Sequence, residues 1–248
     1  MTVQNIFDFL NSKFPVSTAC DFDNVGILVG DKNQEINKVL IALDCTLETV
    51  KNAINNNCQL IITHHPVIFN PLKNVLSDSI VYQLISNNIS VISMHTNLDV
   101  GIGGVNDSLC EIINPIDCVS VITDDGYTLK KCTVSPISAD DLADKLKSSL
   151  GGAIKYTASN DKITDILICS GSGGNYLTEA IKNNCQAFIT ADVKHSQFLE
   201  GSHNNIALFD AGHFNTEDVV IEPLKKLISQ EFSEIKFITD HTNLIKNR

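Results

Sequence analysis

Leu60-Ile61-Ile62-Thr63-His64-His65-Pro66 joins a short apolar run to two adjacent histidines. Four apolar or β-branched residues in a row read as a buried strand, and Pro66 forbids its continuation within a sheet. The histidines therefore stand at a strand's carboxyl end, where open α/β sheets bind ligands. Successive strand side chains point to opposite faces, so a regular strand cannot offer His64 and His65 to one metal. Either the chain turns here or two metals are involved. Taken alone, a His-His pair is most simply two polar residues opening a loop. The rest of the chain changes that reading.

A strand followed by ligand-type residues occurs again. Residues 89–94 read as a strand that runs into His95-Thr96-Asn97-Leu98-Asp99, then Gly101, Gly103 and Gly104 ahead of Val105-Asn106-Asp107. Around these two stretches the chain alternates strands and helices. Ile6, Phe7 and Leu10 have helical spacing in residues 2–12, and residues 39–43 form a strand. Thr46 and Glu48 open a helix with Leu47, Val50, Ala53 and Ile54 on its inner face, and Ser77 is expected to cap the helix of Ile80, Val81, Leu84 and Ile85. In the second half, residues 129–134 form a strand, and Ser138 with Asp141 caps a helix that turns Leu142 and Leu146 inward. Residues 163–169 form another strand, ending in Ser170-Gly171-Ser172-Gly173-Gly174. That turn lacks the Gly-Lys-Ser/Thr ending of a P-loop and the spacing of a dinucleotide fingerprint. A tight strand-to-helix turn is the expected reading.

The chain contains an internal repeat. Shifted by 127 positions, residues 39–63 align with residues 166–190, and ten of the 25 positions are identical, including Asn56-Asn57-Cys58-Gln59 against Asn183-Asn184-Cys185-Gln186. One strand-helix-strand unit has been used twice, which predicts two related α/β halves. The second copy has Ala191-Asp192 in place of His64-His65. At an offset of 118, His95-x-x-x-Asp99 matches His213-x-x-x-Glu217, and Asn97 matches Asn215. On a helical turn, a histidine and a carboxylate four apart present an imidazole and an oxygen to one space. If the halves face each other, the ligand set is His64, His65, Asp99, His213 and Glu217, with His95 in reserve. Three histidines and two carboxylates exceed one tetrahedral zinc and suit a two-metal site with a bridging carboxylate.

Composition agrees with a globular chain of one large domain or two small ones: 248 residues, 43 % hydrophobic and 19 % charged. A formal charge of −11 argues against non-specific nucleic-acid binding and against anionic membranes. A nucleotide substrate stays open, because a divalent metal reverses local charge. Eight scattered cysteines, none in a Cys-x-x-Cys pair, suit small buried side chains in a reducing compartment. With Asp8 and no basic cluster in the first ten residues, and no apolar run of membrane length, a cytoplasmic protein is expected.

The His-His-Pro after a strand, the His-Thr-Asn-Leu-Asp segment, Gly-Gly-Val-Asn-Asp, and the late Gly-His-Phe-x-x-Glu together resemble the family named for the yeast interacting factor three, also catalogued as GTP cyclohydrolase I type 2 homologues. The resemblance runs along essentially the whole chain and is to the short form without an inserted domain. It implies two intertwined, pseudo-symmetric α/β repeats in three layers, with a metal site in the cleft between them. The first repeat would span residues 1–125, with 213–248 packing back on it, and the second 126–212. The resemblance further implies that His64 and Asp99 hold one divalent ion, His65 and His213 the other, and that Glu217 bridges them. Zinc, iron, manganese and nickel all suit such ligands. Short members assemble as toroidal homohexamers. The implied function is a dinuclear metal-dependent hydrolase acting on a nucleotide or related phosphorylated small molecule, with His95 the candidate proton donor. A metal-delivery protein without turnover and a metal-braced adaptor are the alternatives. Asp192 stands where relatives often carry Gly-Glu, so the resemblance assigns it no role.

Overall fold

The computed structural model describes residues 1–158 and 162–246. Its strands are β1 (Gly26–Val29), β2 (Lys38–Ala42), β3 (Leu60–Thr63), β4 (Ser90–Ser93), β5 (Asp117–Ile122), β6 (Thr128–Ile137), β7 (Lys155–Tyr156), β8 (Ile163–Ile168), β9 (Ala187–Thr190), β10 (Ala207–Asp210) and β11 (Lys236–Asp240). The chain divides into two compact units, one of Met1–Gly104 with Ile221–Leu244, the other of Val105–Val220 with the last residues from Ile245. Each unit carries one mixed sheet.

The sheet of the first unit has the order β1-β4-β3-β2-β11. β4, β3, β2 and β11 run parallel and β1 lies antiparallel at the edge. Parallel neighbours need crossovers, and the helices Leu47–Asn55 and Ile80–Ser86 supply them after β2 and β3. Every residue of β3 and β4 is buried, which is why these segments read as continuous apolar runs rather than alternating ones. Leu40, Ala42, Ile61 and Val91 from the sheet pack with Val50, Ala53 and Leu84 from the helices.

Two details of the sequence reading are corrected here. Thr46 does cap the first crossover helix, its hydroxyl accepting from the Thr49 amide at 3.1 Å. The inner stripe, however, is Thr49, Val50 and Ala53, while Leu47 and Ile54 are 39 % and 37 % exposed. Thr49 can face inward because its hydroxyl donates to the Asp44 carbonyl at 2.9 Å, and that turns the stripe away from Leu47 and Ile54. The next helix is capped by Ser79, whose Oγ accepts from the Tyr82 amide at 3.3 Å, and not by Ser77. Ile85 on that helix is exposed.

The sheet of the second unit has the order β5-β6-β8-β9-β10-β7, with β8, β9 and β10 parallel. Ile166 and Ile168 turn to a core with Leu142 and Leu146, while Leu167 faces the opposite core with Phe188 and Leu208. As expected, Ser138 caps the helix Ala139–Leu150, accepting from the Asp141 amide at 3.1 Å. β5, β7 and β11 had no counterpart in the sequence reading.

The repeat is visible in the hydrogen bonds. β2 pairs with β3 as Val39↔Leu60, Leu40↔Ile61 and Ile41↔Ile62, and β8 pairs with β9 as Ile166↔Ala187, Leu167↔Phe188 and Ile168↔Ile189, the same register 127 positions on. Gln59 Oε1 accepts from the Asn37 and Lys38 amides, both at 3.0 Å, and Gln186 Oε1 accepts from the Thr164 and Asp165 amides at 3.1 and 2.9 Å. The turn before each second strand holds an asparagine in the left-handed region, Asn57 at φ 56° and Asn184 at φ 53°. Asparagine tolerates that conformation better than most residues do. The identical Asn-Asn-Cys-Gln runs thus build a turn and a strand latch.

Candidate metal centre

In the first unit, β3 ends at Thr63, and the next two residues stay tied to the sheet. The His64 amide donates to the Ala42 carbonyl at 3.3 Å and the His65 amide to the Leu43 carbonyl at 3.0 Å. The chain bends at these two residues, which brings the two imidazole rings to 4.9 Å between centroids. Of the two possibilities left open by the sequence, a turn is therefore present.

The second ring environment comes from β4. His95 leads into the short helix Thr96–Val100, and its carbonyl accepts from the Asp99 amide at 3.0 Å. Ring donor atoms of His64, His65 and His95 lie within 4.8 Å of one another. Asp99 Oδ1 is 3.5 Å from His64 Nε2, and both residues are buried. Each histidine also has its Nδ1 against an oxygen: His64 against the Met94 carbonyl at 3.0 Å, His65 against Asp44 Oδ1 at 2.7 Å, and His95 against Asp23 Oδ1 at 2.8 Å. Burial pushes the Asp23 carboxyl up, but hydrogen bonds from His95 and Thr96 outweigh it and hold the group well below the usual carboxylate range. An ionised Asp23 keeps the proton of His95 on Nδ1. A cavity of about 430 Å³ opens beside His65, with Asp44, Thr46 and Glu48 in its wall.

In the second unit, Gly212 at φ 84° turns the chain from β10 into the helix His213–Glu217. The helical turn aligns the pair that the spacing predicted: His213 Nε2 lies 3.1 Å from Glu217 Oε2. His213 Nδ1 lies 2.6 Å from Asp192 Oδ2, which gives Asp192 the role that the resemblance could not assign. Burial would lower the imidazole pKa, yet Glu217 and Asp192 together raise it to about 9. The glycine-rich turn also finds a use. Gly171 sits at φ 57°, and a Cβ there would overlap Glu217 Oε1 and come within 3.3 Å of His213 Nε2. The Gly171 amide donates to Thr216 Oγ1 at 3.1 Å, tying the turn to the same helix. This stretch makes room for the His213 and Glu217 side chains.

The structure thus brings together His64, His65, His95 and Asp99 in one unit, and His213 and Glu217 in the other. His195, His203 and His241 are exposed. The sequence reading missed Asp23 and Asp44 as supports, Asp192 as the partner of His213, and Gly171 as clearance. Asp44 could have been found, since it aligns with Gly171 at the offset of 127 and stands two residues beyond a strand.

The arrangement fits divalent metal. Histidines that bind metal commonly give their other ring nitrogen to a carboxylate or carbonyl, which fixes the tautomer and leaves the lone pair on the ligating atom. All four histidines here follow that pattern with Nδ1 engaged. Asp99 and Glu217 are 6 % and 4 % exposed, and buried carboxylates are costly unless a cation compensates them.

Comparison with known proteins gives the chain relatives over its length. Residues 1–245 match the model of the family described as Duf34/NIF3 (NGG1p interacting factor 3). The chain is 33 % identical over 230 residues to a GTP cyclohydrolase 1 type 2 homolog of Clostridium acetobutylicum, covering 88 % of this chain and 85 % of that one. It is 34 % identical over 220 residues to a GTP cyclohydrolase 1 type 2 of Helicobacter pylori, covering 87 % and 86 %. A solved Staphylococcus aureus hypothetical protein superposes with a TM-score of 0.93 at 27 % identity, covering 100 % of this chain and 99 % of that one.

Proposed function

Because the chain belongs to the DUF34/NIF3 family, we propose that its two donor sets share one dinuclear centre of a metal-dependent hydrolase. In this reading His64 and Asp99 hold one divalent ion, His65 and His213 the other, and Glu217 bridges them. The observation that carries it is the common orientation of four histidines, each with Nδ1 on an oxygen, with His64 Nε2 turned to Asp99 and His213 Nε2 to Glu217. When bound, two such ions supply an acidified water and polarise a substrate oxygen or ring carbon. His95 is the proton-transfer residue: Asp23 fixes its Nδ1, so Nε2 is the atom that exchanges a proton with substrate. The cavity beside His65 is the substrate's berth, with Asp44 on its wall holding the His65 ring. The substrate class is a nucleotide or related phosphorylated small molecule, with opening of the guanine ring of GTP the first reaction to test.

The same reading takes the protein to be a cytoplasmic toroidal homohexamer, which light scattering on the purified chain checks. No helix among the described residues is long and apolar enough to cross a membrane. The deciding experiment is elemental analysis of untagged protein followed by GTP turnover with the metal found. Two ions per chain, with turnover abolished in Glu217→Ala, is the expected result. Two ions without consumption of GTP would move the reading to another substrate or to metal delivery; one ion or none would end it.

A further inference from the structure

Outside the histidine sites, three of the eight cysteines converge in the second unit. Cys110 comes from the helix Val105–Ile113, Cys118 from β5 and Cys132 from β6. Nothing in their spacing announced this, since none forms a Cys-x-x-Cys pair. The sheet makes the first contact by placing Cys118 directly across from Cys132 in the antiparallel β5–β6 register. Their Sγ atoms are 3.0 Å apart, and Cys110 Sγ reaches to 3.5 Å from Cys118 Sγ. All three sulfurs lie within 4.8 Å of one another. Six of the eight cysteines are buried, as expected, but these three, scattered in sequence, meet in space.

We infer that Cys110, Cys118 and Cys132 form a second metal site, a three-thiolate site for a soft monovalent cation of the copper(I) class, separate from the histidine and carboxylate groups. Thiolates select soft cations, whereas imidazole with carboxylate suits borderline and hard divalent ones, so one chain can hold two sites that do not compete for the same ion. The group ends at three donors among the described residues. A structural zinc asks for four protein ligands, while copper(I) is content with three. With metal–sulfur bonds of roughly 2.3 Å, three thiolates round one ion stand about 4 Å apart, so the sulfurs need to spread by only ~1 Å.

The surroundings favour a thiolate. Cys132 and Cys110 are buried, while Cys118 lies on an exposed strand and gives the site an open side. Lys130, on the strand opposite, is mostly buried and anchored by Asp107 at 2.6 Å and Ser120 at 3.2 Å. In the β5–β6 register Lys130 pairs with Ser120, two positions along from the Cys118–Cys132 pair and on the same face, so its ammonium offsets negative charge on the thiolates. Binding exchanges the thiol protons for the ion and releases them to water, with no change in oxidation state. A disulfide would use only two sulfurs, drawn to about 2.05 Å, and would leave the third without a purpose.

The test uses the full chain, reduced and kept under anaerobic conditions, titrated with Cu(I) against bicinchoninate as the competing chelator. One Cu(I) per chain is expected, with a sulfur-to-copper charge-transfer band in the near ultraviolet. Cys118→Ser should lose the band and weaken binding by more than the ~10–100-fold that losing a mere supporting residue costs a metal site. Cys118→Ala should do the same, and Cys20→Ser should change nothing; in all three, the divalent metal content should stay at the wild-type value. A wild-type chain that takes up no Cu(I), or Cys118 variants that bind it as tightly, overturns the site. So does a Cys118–Cys132 disulfide found by peptide mass in the Cu(I)-treated protein, which would make these residues a redox pair.

Discussion

The two copies of the strand-helix-strand unit are alike where they fold and unlike where they bind. Register, latch glutamine and left-handed asparagine repeat at the same offset. At the turn after the first strand they diverge: Asp44 in the first copy carries a carboxylate that holds His65, and Gly171 in the second carries no side chain. After the second strand, His64-His65 correspond in sequence to Ala191-Asp192. Each copy keeps one carboxylate against an imidazole Nδ1, but the partners trade places. In the first, the carboxylate follows the first strand and the histidine the second; in the second, the carboxylate follows the second strand and the histidine sits on the helix after β10. The lesson is that the sheet is duplicated as a frame while the loops at its carboxyl ends are free to specialise.

The hardest way to press this comparison is to give the second copy the first copy's residue. Gly171→Asp places a Cβ on Glu217 Oε1 and puts a non-glycine residue at φ 57°. The backbone strain alone costs about 1–2 kcal/mol, and the displaced Glu217 should release both ions of the proposed centre. Elemental analysis should fall from two ions per chain to one or fewer. Retention of both would mean that the missing side chain at Gly171 is incidental.

Next in size are the carboxylates themselves. Glu217→Gln should loosen both ions, whereas Asp99→Asn should loosen mainly the one shared with His64, as read by metal content after graded chelator treatment. Equal losses in the two variants would remove the bridging assignment. Smaller still are the supports. Asp44→Asn and Asp192→Asn each take the negative charge from beside the Nδ1 of a histidine proposed to hold the same ion, so each should weaken that ion by roughly 10–100-fold and spare the other. If the two variants weakened different ions, the pairing of His65 with His213 would be wrong.

How much of this the sequence revealed follows from the range of each interaction. The repeat, the buried strands and the pairing of His213 with Glu217 were legible because each is a local pattern: a repeated run, an apolar run, a histidine and a carboxylate one helical turn apart. Asp23 left no signal in the sequence, because it meets His95 across 72 positions. The thiol cluster depends on the β5–β6 register, and β5 is mostly exposed, so it has no buried run to mark it. Leu47 and Ile54 were misplaced because one hydroxyl bond, from Thr49 to the Asp44 carbonyl, decided which face turned inward. Side chains that act by filling or vacating space, Gly171 above all, leave no periodic trace.

The smallest effect gives the cleanest control, because it bears on the shared frame and not on the site. Asn57 and Asn184 occupy equivalent turns at φ 56° and 53°, and each precedes a cysteine whose amide closes the turn at 2.9 Å, onto the Ala53 and Ala180 carbonyls respectively. Alanine at either position forfeits a residue type that tolerates left-handed backbone better than most, at about 1 kcal/mol. For a chain of this length that lowers Tm by roughly 2–4 °C. Asn57→Ala and Asn184→Ala should therefore shift thermal unfolding by the same amount and leave metal content unchanged. Unequal shifts would show that one copy bears more of the fold than the other. A change in metal content from either variant would mean that frame and site are coupled, and that the loops did not specialise independently of the sheet that carries them.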